Sequence, residues 1–116
     1  MVVIKIVGYW TPPADPVDIP RFEHDYMNRH VPIAARLPGL RRLTTLRVES
    51  GYMGGEVQHY RIVEASFDDR QALDAALQTP EFVAMRQDRQ RLIDTYGVTN
   101  SAEIGEEIEA VLGEAL

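Results

Sequence analysis

Residues 18–40, DIPRFEHDYMNRHVPIAARLPGL, decide the fold of this chain. Apolar side chains recur in this stretch at helical spacing, and they are Phe22, Tyr26, Ile33 and Leu37. At about 100° per residue they fall within a stripe roughly 60° wide, which predicts an amphipathic helix with one face in the core. Asp18 is the expected N-cap of this helix.

The same helix carries the histidine of greatest functional interest. His30 follows Tyr26 by four residues and lies at the margin of the apolar stripe, so we expect its side chain to be partly shielded from water. Pro32 cannot donate a backbone N–H to the carbonyl of Asn28, so the helix should kink beside His30. An imidazole bonded to the freed carbonyl would be structural, whereas one facing a ligand could transfer protons near neutral pH.

Composition bounds the class of protein. The chain has 116 residues, 45% of them hydrophobic and 26% charged, which predicts one globular domain. We expect this domain to span 1–108, the end of the last predicted strand, and a C-terminal tail to follow over 109–116. A net charge of −6 argues against nucleic acid as a partner, and the absence of cysteine excludes disulfides and thiolate chemistry. No apolar run has the length of a membrane span, and no signal peptide is recognisable, so we expect a cytoplasmic protein that does not contact membranes.

β-branched residues with two largely apolar faces predict a first strand at 2–10. Residue alternation predicts further strands at 40–49, 57–67 and 98–108. The glycine-rich loop 51–55 should join the second and third as an antiparallel hairpin. The fourth also fits a short acidic helix, and we favour the strand. Between the third and fourth strands, Pro80 should separate two helical segments and Gly97 should end the second.

The resulting order, βαββαβ, predicts an α+β fold of the ferredoxin-like, split βαβ type. Such a fold is a four-stranded antiparallel sheet with two helices on one face. The predicted strands carry apolar residues on both faces, so the face without helices would expose more apolar surface than a monomer usually tolerates. We therefore expect a homodimer in which two sheets pack face to face as a dimeric α+β barrel.

Residues 21–40 resemble the signature of the EthD family, which is named for a protein of ethyl tert-butyl ether degradation. The matching positions are Phe22, Tyr26, His30, Pro32, Leu37, Pro38, Gly39 and Leu40. Matches continue in the second half, at Phe67, Leu73, Ala76, Pro80, Glu81, Asp88, Gly97, Val98 and 104–107. The chain departs from the family at Ile33, where leucine is common, and at Asp25, where a tyrosine is common and where we expect a solvated side chain.

The resemblance implies a dimeric α+β barrel enclosing a small hydrophobic or aromatic ligand. It also suggests a cofactor-independent enzyme of cyclase, isomerase, dehydratase or degradation-pathway type. His30 would be the acid or base, and Tyr26 would orient it or hold a substrate oxygen. Further side chains are predicted to bind substrate, although the strand parity that lines the site stays open; they are Tyr9, Arg42, Thr44, His59, Arg61 and Arg89.

Two other functions fit the same residues. The chain could bind a ligand without catalysis, as an accessory protein of a catabolic pathway, or His30 could ligate haem in an oxygenase. No glycine-rich phosphate loop indicates a nucleotide cofactor, so we predict none. His24 and His30 lie six residues apart on different helix faces, so we predict no metal site.

Overall fold

One antiparallel sheet and one layer of helices make up the part of the chain that the computed structural model describes, residues 3–113. The strands are β1 Val3–Trp10, β2 Arg42–Arg47, β3 Arg61–Phe67 and β4 Asn100–Glu107. The helices are α1 Ile19–Asp25, α2 Val31–Ala34, α3 Arg70–Ala76 and α4 Pro80–Tyr96. The predicted strand residue Val2 and the predicted tail residues 114–116 lie outside the described residues.

The sheet has the order β2-β3-β1-β4, and each pair of neighbours is antiparallel. The predicted βαββαβ order and its ferredoxin-like topology are therefore confirmed. Along β1, Ile6, Gly8 and Trp10 face the helices, and Lys5 and Tyr9 face the open side of the sheet.

The fourth predicted strand is confirmed over 100–107, where β4 pairs with β1 along its whole length at the edge of the sheet. The hairpin of β2 and β3 is confirmed as well, but both strands are shorter than their alternation suggested. Their pairing ends at Arg47 opposite Arg61, and one further backbone bond joins the Val48 N–H to the Tyr60 carbonyl at 3.0 Å. Beyond that bond the chain leaves the sheet, so the alternating residues 57–59 have no strand partner.

The predicted helix over 18–40 contains a widened turn at the position where Pro32 predicted a kink. Residues Tyr26–His30 form a π-helical turn between α1 and α2, closed by a bond from the Val31 N–H to the Tyr26 carbonyl. Such a wide turn inserts one residue into the helix and so changes the phase of the residues that follow. Buried residues therefore recur every four positions, at Phe22, Tyr26, His30 and Ala34.

The ends of the helices largely follow the sequence. Thr79 caps α4 through its hydroxyl, which accepts from the Phe82 N–H at 3.3 Å, and Gly97 ends α4 with a φ of 68°. Asp18 is the N-cap residue of α1, as predicted, although its side chain makes no capping hydrogen bond. Within residues 3–113 no helix combines the length and apolar character needed to cross a bilayer.

Candidate functional site

A cavity of about 100 Å³ lies between the sheet and the helix layer. Its floor is the helix-facing side of β1, and its roof comes from the π-helical turn, α2 and α4. Gly8 makes room in the floor, because a Cβ there would lie 2.8 Å from Cγ1 of Val63. Most of the lining is aliphatic or aromatic, as is usual for small-molecule sites.

The register of the sheet gives this cavity a polar end and an apolar end. At the level where Trp10 pairs with Asn100, the lining also includes His30 and Arg89, because His30 packs against Trp10 and Arg89 bonds to Asn100. Four residues earlier on β1 the lining is entirely apolar; it consists there of Ile6, Ala65 and Leu43. A ligand in this cavity would meet proton-transfer and hydrogen-bonding groups at one end only.

His30 is held at the polar end by two aromatic rings and one carboxylate. Its side chain is 6% exposed, so it lies deeper than the helical stripe predicted, because the π-helical turn rotates it inward. The ring stacks on Tyr26 at 5.7 Å between centroids and meets Trp10 edge-on at 5.4 Å. Nδ1 lies 2.9 Å from Oδ2 of Asp88, so the imidazole bonds to a carboxylate and not to a backbone carbonyl.

Asp88 is a carboxylate held by several donors. Arg91 donates from Nε to Oδ1 of Asp88 at 2.8 Å, and Nε of Arg29 lies 3.2 Å from the same oxygen. Burial raises the pKa of Asp88, but the hydrogen bonds from Arg91 and His30 outweigh it and keep the pKa below its usual value. A carboxylate can only accept, so the Nδ1 of His30 must carry the hydrogen of the bond between them.

Burial lowers the pKa of His30 below 6.5, and the bond to Asp88 opposes this only in part. The imidazole is therefore neutral at pH 7, with its single hydrogen on Nδ1 and a lone pair on Nε2. Among residues 3–113 no buried side-chain nitrogen or oxygen lacks a hydrogen-bond partner, and no partner for Nε2 is found there. Because His30 lines the cavity, Nε2 is the ring nitrogen that a ligand there could use.

A second polar cluster holds the hydroxyl group of Tyr26. The Tyr26 hydroxyl shares a hydrogen bond with Thr45 at 3.2 Å, and Nη1 of Arg61 donates to the same threonine at 3.3 Å. Arg61 is itself ion-paired with Glu23, which also accepts from the Tyr60 hydroxyl at 2.9 Å. Burial raises the pKa of Tyr26, so its phenol stays protonated. These contacts fix the ring that stacks on His30.

The predicted substrate-binding residues fall on two sides of the sheet. Arg89 lines the cavity with His30 and Tyr26. The guanidinium of Arg61 lies over the ring of Tyr26, 5.2 Å from its centroid. The remaining four belong to the open face or its edge: Tyr9, Arg42, Thr44 and His59. His59 packs on Tyr9 at 4.4 Å between rings. The structure does not bring these four to His30, and a substrate-binding role for them stays a prediction.

Sequence reasoning missed the partners of His30. Asp88 is in phase with Met85 and Leu92 on the buried side of α4, and a carboxylate within an apolar stripe is a signal that it has a cationic or donor partner. The expectation that Asp25 is solvated was wrong. Its carboxylate accepts from Arg91 at 2.7 and 2.8 Å and from the Tyr96 hydroxyl at 2.8 Å. Both partners belong to α4, so the helical pattern of residues 18–40 alone could not reveal them.

The described residues provide neither a metal site nor room for a haem at His30. Within the described residues, no cluster of three or more histidine and acidic side chains could hold a metal ion. The cavity at His30 measures about 100 Å³, which is far too small for a haem macrocycle. The residues around His30 therefore do not fit a haem.

The fold and this site define a class: a ferredoxin-like α+β protein with a histidine–aspartate pair at an internal cavity. A family model, the EthD domain, matches residues 15–96, and the chain therefore belongs to the EthD family. The resemblance seen in the sequence is confirmed. No match was found among curated protein sequences.

Solved structures agree with this assignment. An ethyl tert-butyl ether degradation (EthD) family protein from Bacillus halodurans is 30% identical, with a TM-score of 0.74 over 91% of this chain and 99% of that one. SnoaB, a cofactor-independent oxygenase from Streptomyces nogalater, is 22% identical, with a TM-score of 0.63 over 97% and 98%. A DABB family protein with a ferredoxin-like fold from Mesorhizobium loti is 15% identical, with a TM-score of 0.59 over 96% and 100%. The last two similarities concern the fold alone.

Proposed function

We propose that the cavity binds a small, largely apolar molecule and that His30 moves a proton on it without a cofactor. One observation carries this proposal: Nδ1 of His30 is bonded to Asp88, which leaves Nε2 as an unprotonated base at the cavity. A base works best when its pKa lies near the operating pH, and burial keeps His30 neutral at pH 7.

The chemistry follows from the pair. Nε2 takes a proton from a carbon next to a carbonyl group, and the electron pair of the broken C–H bond moves into the carbonyl as an enolate. The imidazolium that forms is stabilised by the Asp88 carboxylate, 2.9 Å from Nδ1. Return of the proton to the same or another carbon completes an exchange or an isomerisation.

We expect the protein to exchange carbon-bound hydrogen for deuterium in small carbonyl compounds. Butanone and 2-oxobutanoate would be incubated in D₂O, and loss of the C–H signal next to the carbonyl would be followed by NMR. The His30→Gln variant should exchange at least tenfold more slowly. His24→Gln is the control, because His24 is exposed on the same helix. If the wild type binds a compound but exchanges none of its hydrogens, the alternative applies, a ligand-binding protein of a catabolic pathway.

We also propose that a second copy covers the open face of the sheet. The register of the sheet places Leu46, Ile62 and Tyr9 side by side on that face. Leu46 is 58% exposed. An uncovered apolar row favours association of two sheets. Light scattering should give the mass of a dimer for the wild type and of a monomer for Leu46→Glu. Val83→Glu changes a similarly exposed side chain on the helix layer and should remain dimeric; a monomeric wild type would contradict the proposal.

The aromatic character of the ligand, a role in degradation of foreign compounds, a cytoplasmic location and the domain limits 1–108 stay predictions of the sequence. The size of the cavity bears on the first of them. About 100 Å³ is two thirds of the roughly 150 Å³ that admits benzene, which favours a body of about four carbon atoms over a polycyclic one.

A further inference from the structure

Arg89 stands apart from the other arginines of the described chain. Six arginines form ion pairs with carboxylates: Arg29, Arg41, Arg47, Arg61, Arg70 and Arg91. Four others have no ion pair within residues 3–113 but are exposed to solvent: Arg21, Arg36, Arg42 and Arg86. Arg89 alone in that part of the chain is half-buried without a carboxylate partner, and it lines the cavity.

The guanidinium of Arg89 is fixed by neutral groups. Its Nε donates to Oδ1 of Asn100, and its Nη2 donates to the Asn100 carbonyl at 3.1 Å. Asn100 is oriented in turn, because its amide nitrogen donates to the Tyr9 carbonyl at 3.1 Å. A guanidinium has five N–H bonds, so three remain for other acceptors.

A half-buried cation without a counter-ion has lost part of its hydration, and an anion in the cavity would offset that loss. The groups around Arg89 do not supply one: His30 is neutral, and the Asp88 carboxylate is already bonded to His30 and Arg91. The cation lies at the polar end of the cavity, and aliphatic side chains line the other end. The cavity is therefore complementary to a molecule with one anionic end and a short apolar body.

We infer that the ligand is a small monocarboxylate of about four carbon atoms, with its carboxylate on the free N–H groups of Arg89 and its chain toward Ile6 and Ala65. This inference rests on the proposed function only in taking the cavity as the ligand site. It adds the substrate class: a carboxylate anchored at Arg89 lies in the same cavity as the unprotonated Nε2 of His30.

Butanoate and butanamide test the inference, because they have nearly the same shape and differ in charge. Binding would be measured by NMR shifts of the methyl groups of Val63 and Ala65. Wild type should bind butanoate at least tenfold more tightly than butanamide. Arg89→Gln should lose this preference, and Arg89→Lys should keep part of it. Arg86→Gln removes the same charge from an exposed site on α4 and should leave the preference intact.

Equal binding of the two compounds, failure of butanoate to shift the cavity signals, or an unchanged preference in a folded Arg89→Gln would overturn the inference. A preference lost equally in Arg86→Gln would also overturn it, because general surface charge would then account for it. Deuterium exchange separates this result from the proposed function. Selective butanoate binding without deuterium exchange would support the monocarboxylate ligand and contradict proton transfer by His30. Exchange on butanone without a preference for the anion would support proton transfer and contradict the monocarboxylate ligand.

Discussion

Asp88→Asn should lower the free energy of unfolding by about 2–4 kcal/mol. Asp88 is 5% exposed, and its carboxylate joins His30, Arg91 and Arg29. Removing the charge leaves the partly buried Arg91 with Asp25 alone, and breaking one partner of a buried pair is strongly destabilising. The loss would be measured by urea unfolding monitored through Trp10 fluorescence.

Asp74→Asn is the matched control for this change. Asp74 accepts from Arg70 one helical turn earlier, and both side chains are more than half exposed. Such a surface pair contributes about 0.5 kcal/mol or less. The Asp88 variant should also titrate His30 at a lower pKa than wild type does, because the bond to Asp88 raises that pKa. If the two variants lose similar stability, the Asp88 carboxylate does not stabilise the fold through His30 and Arg91.

Glu23→Gln should cost about 2–3 kcal/mol of unfolding free energy. Arg61 is 7% exposed and directs Nε and Nη2 at the Glu23 carboxylate, so the neutral amide leaves a buried cation without a counter-charge. Tyr26 depends on the same cluster through Thr45. The stacking of Tyr26 on His30 should therefore loosen in this variant, which NMR shifts of the His30 ring would detect.

The difference between wild type and Glu23→Gln should depend on pH. Burial raises the pKa of Glu23, but the hydrogen bonds from Arg61 and Tyr60 prevail and hold it below 4.5. The carboxylate therefore stabilises the fold fully above pH 4.5, and this contribution is lost as the pH falls through the lower pKa of the folded state. Glu103→Gln, an exposed position on β4, should show neither the loss nor the pH dependence. A difference that stays constant down to pH 3 would contradict this account.

Periodicity was sufficient for the fold. Alternation and, for β1, β-branched content identified the four strands, and helical spacing with Pro80 and Gly97 located the helices, because each signal depends on neighbours in the sequence. The lengths of β2 and β3 were overestimated, since alternation continues past the point where the two strands separate.

The candidate site could be predicted only in part. His30 and Tyr26 share one helical face, so sequence spacing brings them together. Asp88 lies 58 residues from His30, and only the packing of α4 against the π-helical turn makes them partners. The π-helical turn also buries His30 more deeply than an ideal helix would. Strand parity was undecidable for a similar reason: both faces of β1 carry apolar residues, so the pattern does not show which face the helices cover.

The protonation state of His30 is the central claim, and NMR of the protein with ¹⁵N-labelled histidine tests it most directly. At pH 7.5 we expect Nδ1 of His30 to carry the hydrogen, Nε2 to show the shift of an unprotonated nitrogen, and the ring to titrate below pH 6.5. His24 provides an exposed reference in the same spectrum. A hydrogen on Nε2, or an imidazolium at pH 7.5, would contradict the account, because His30 would then present no base to the cavity.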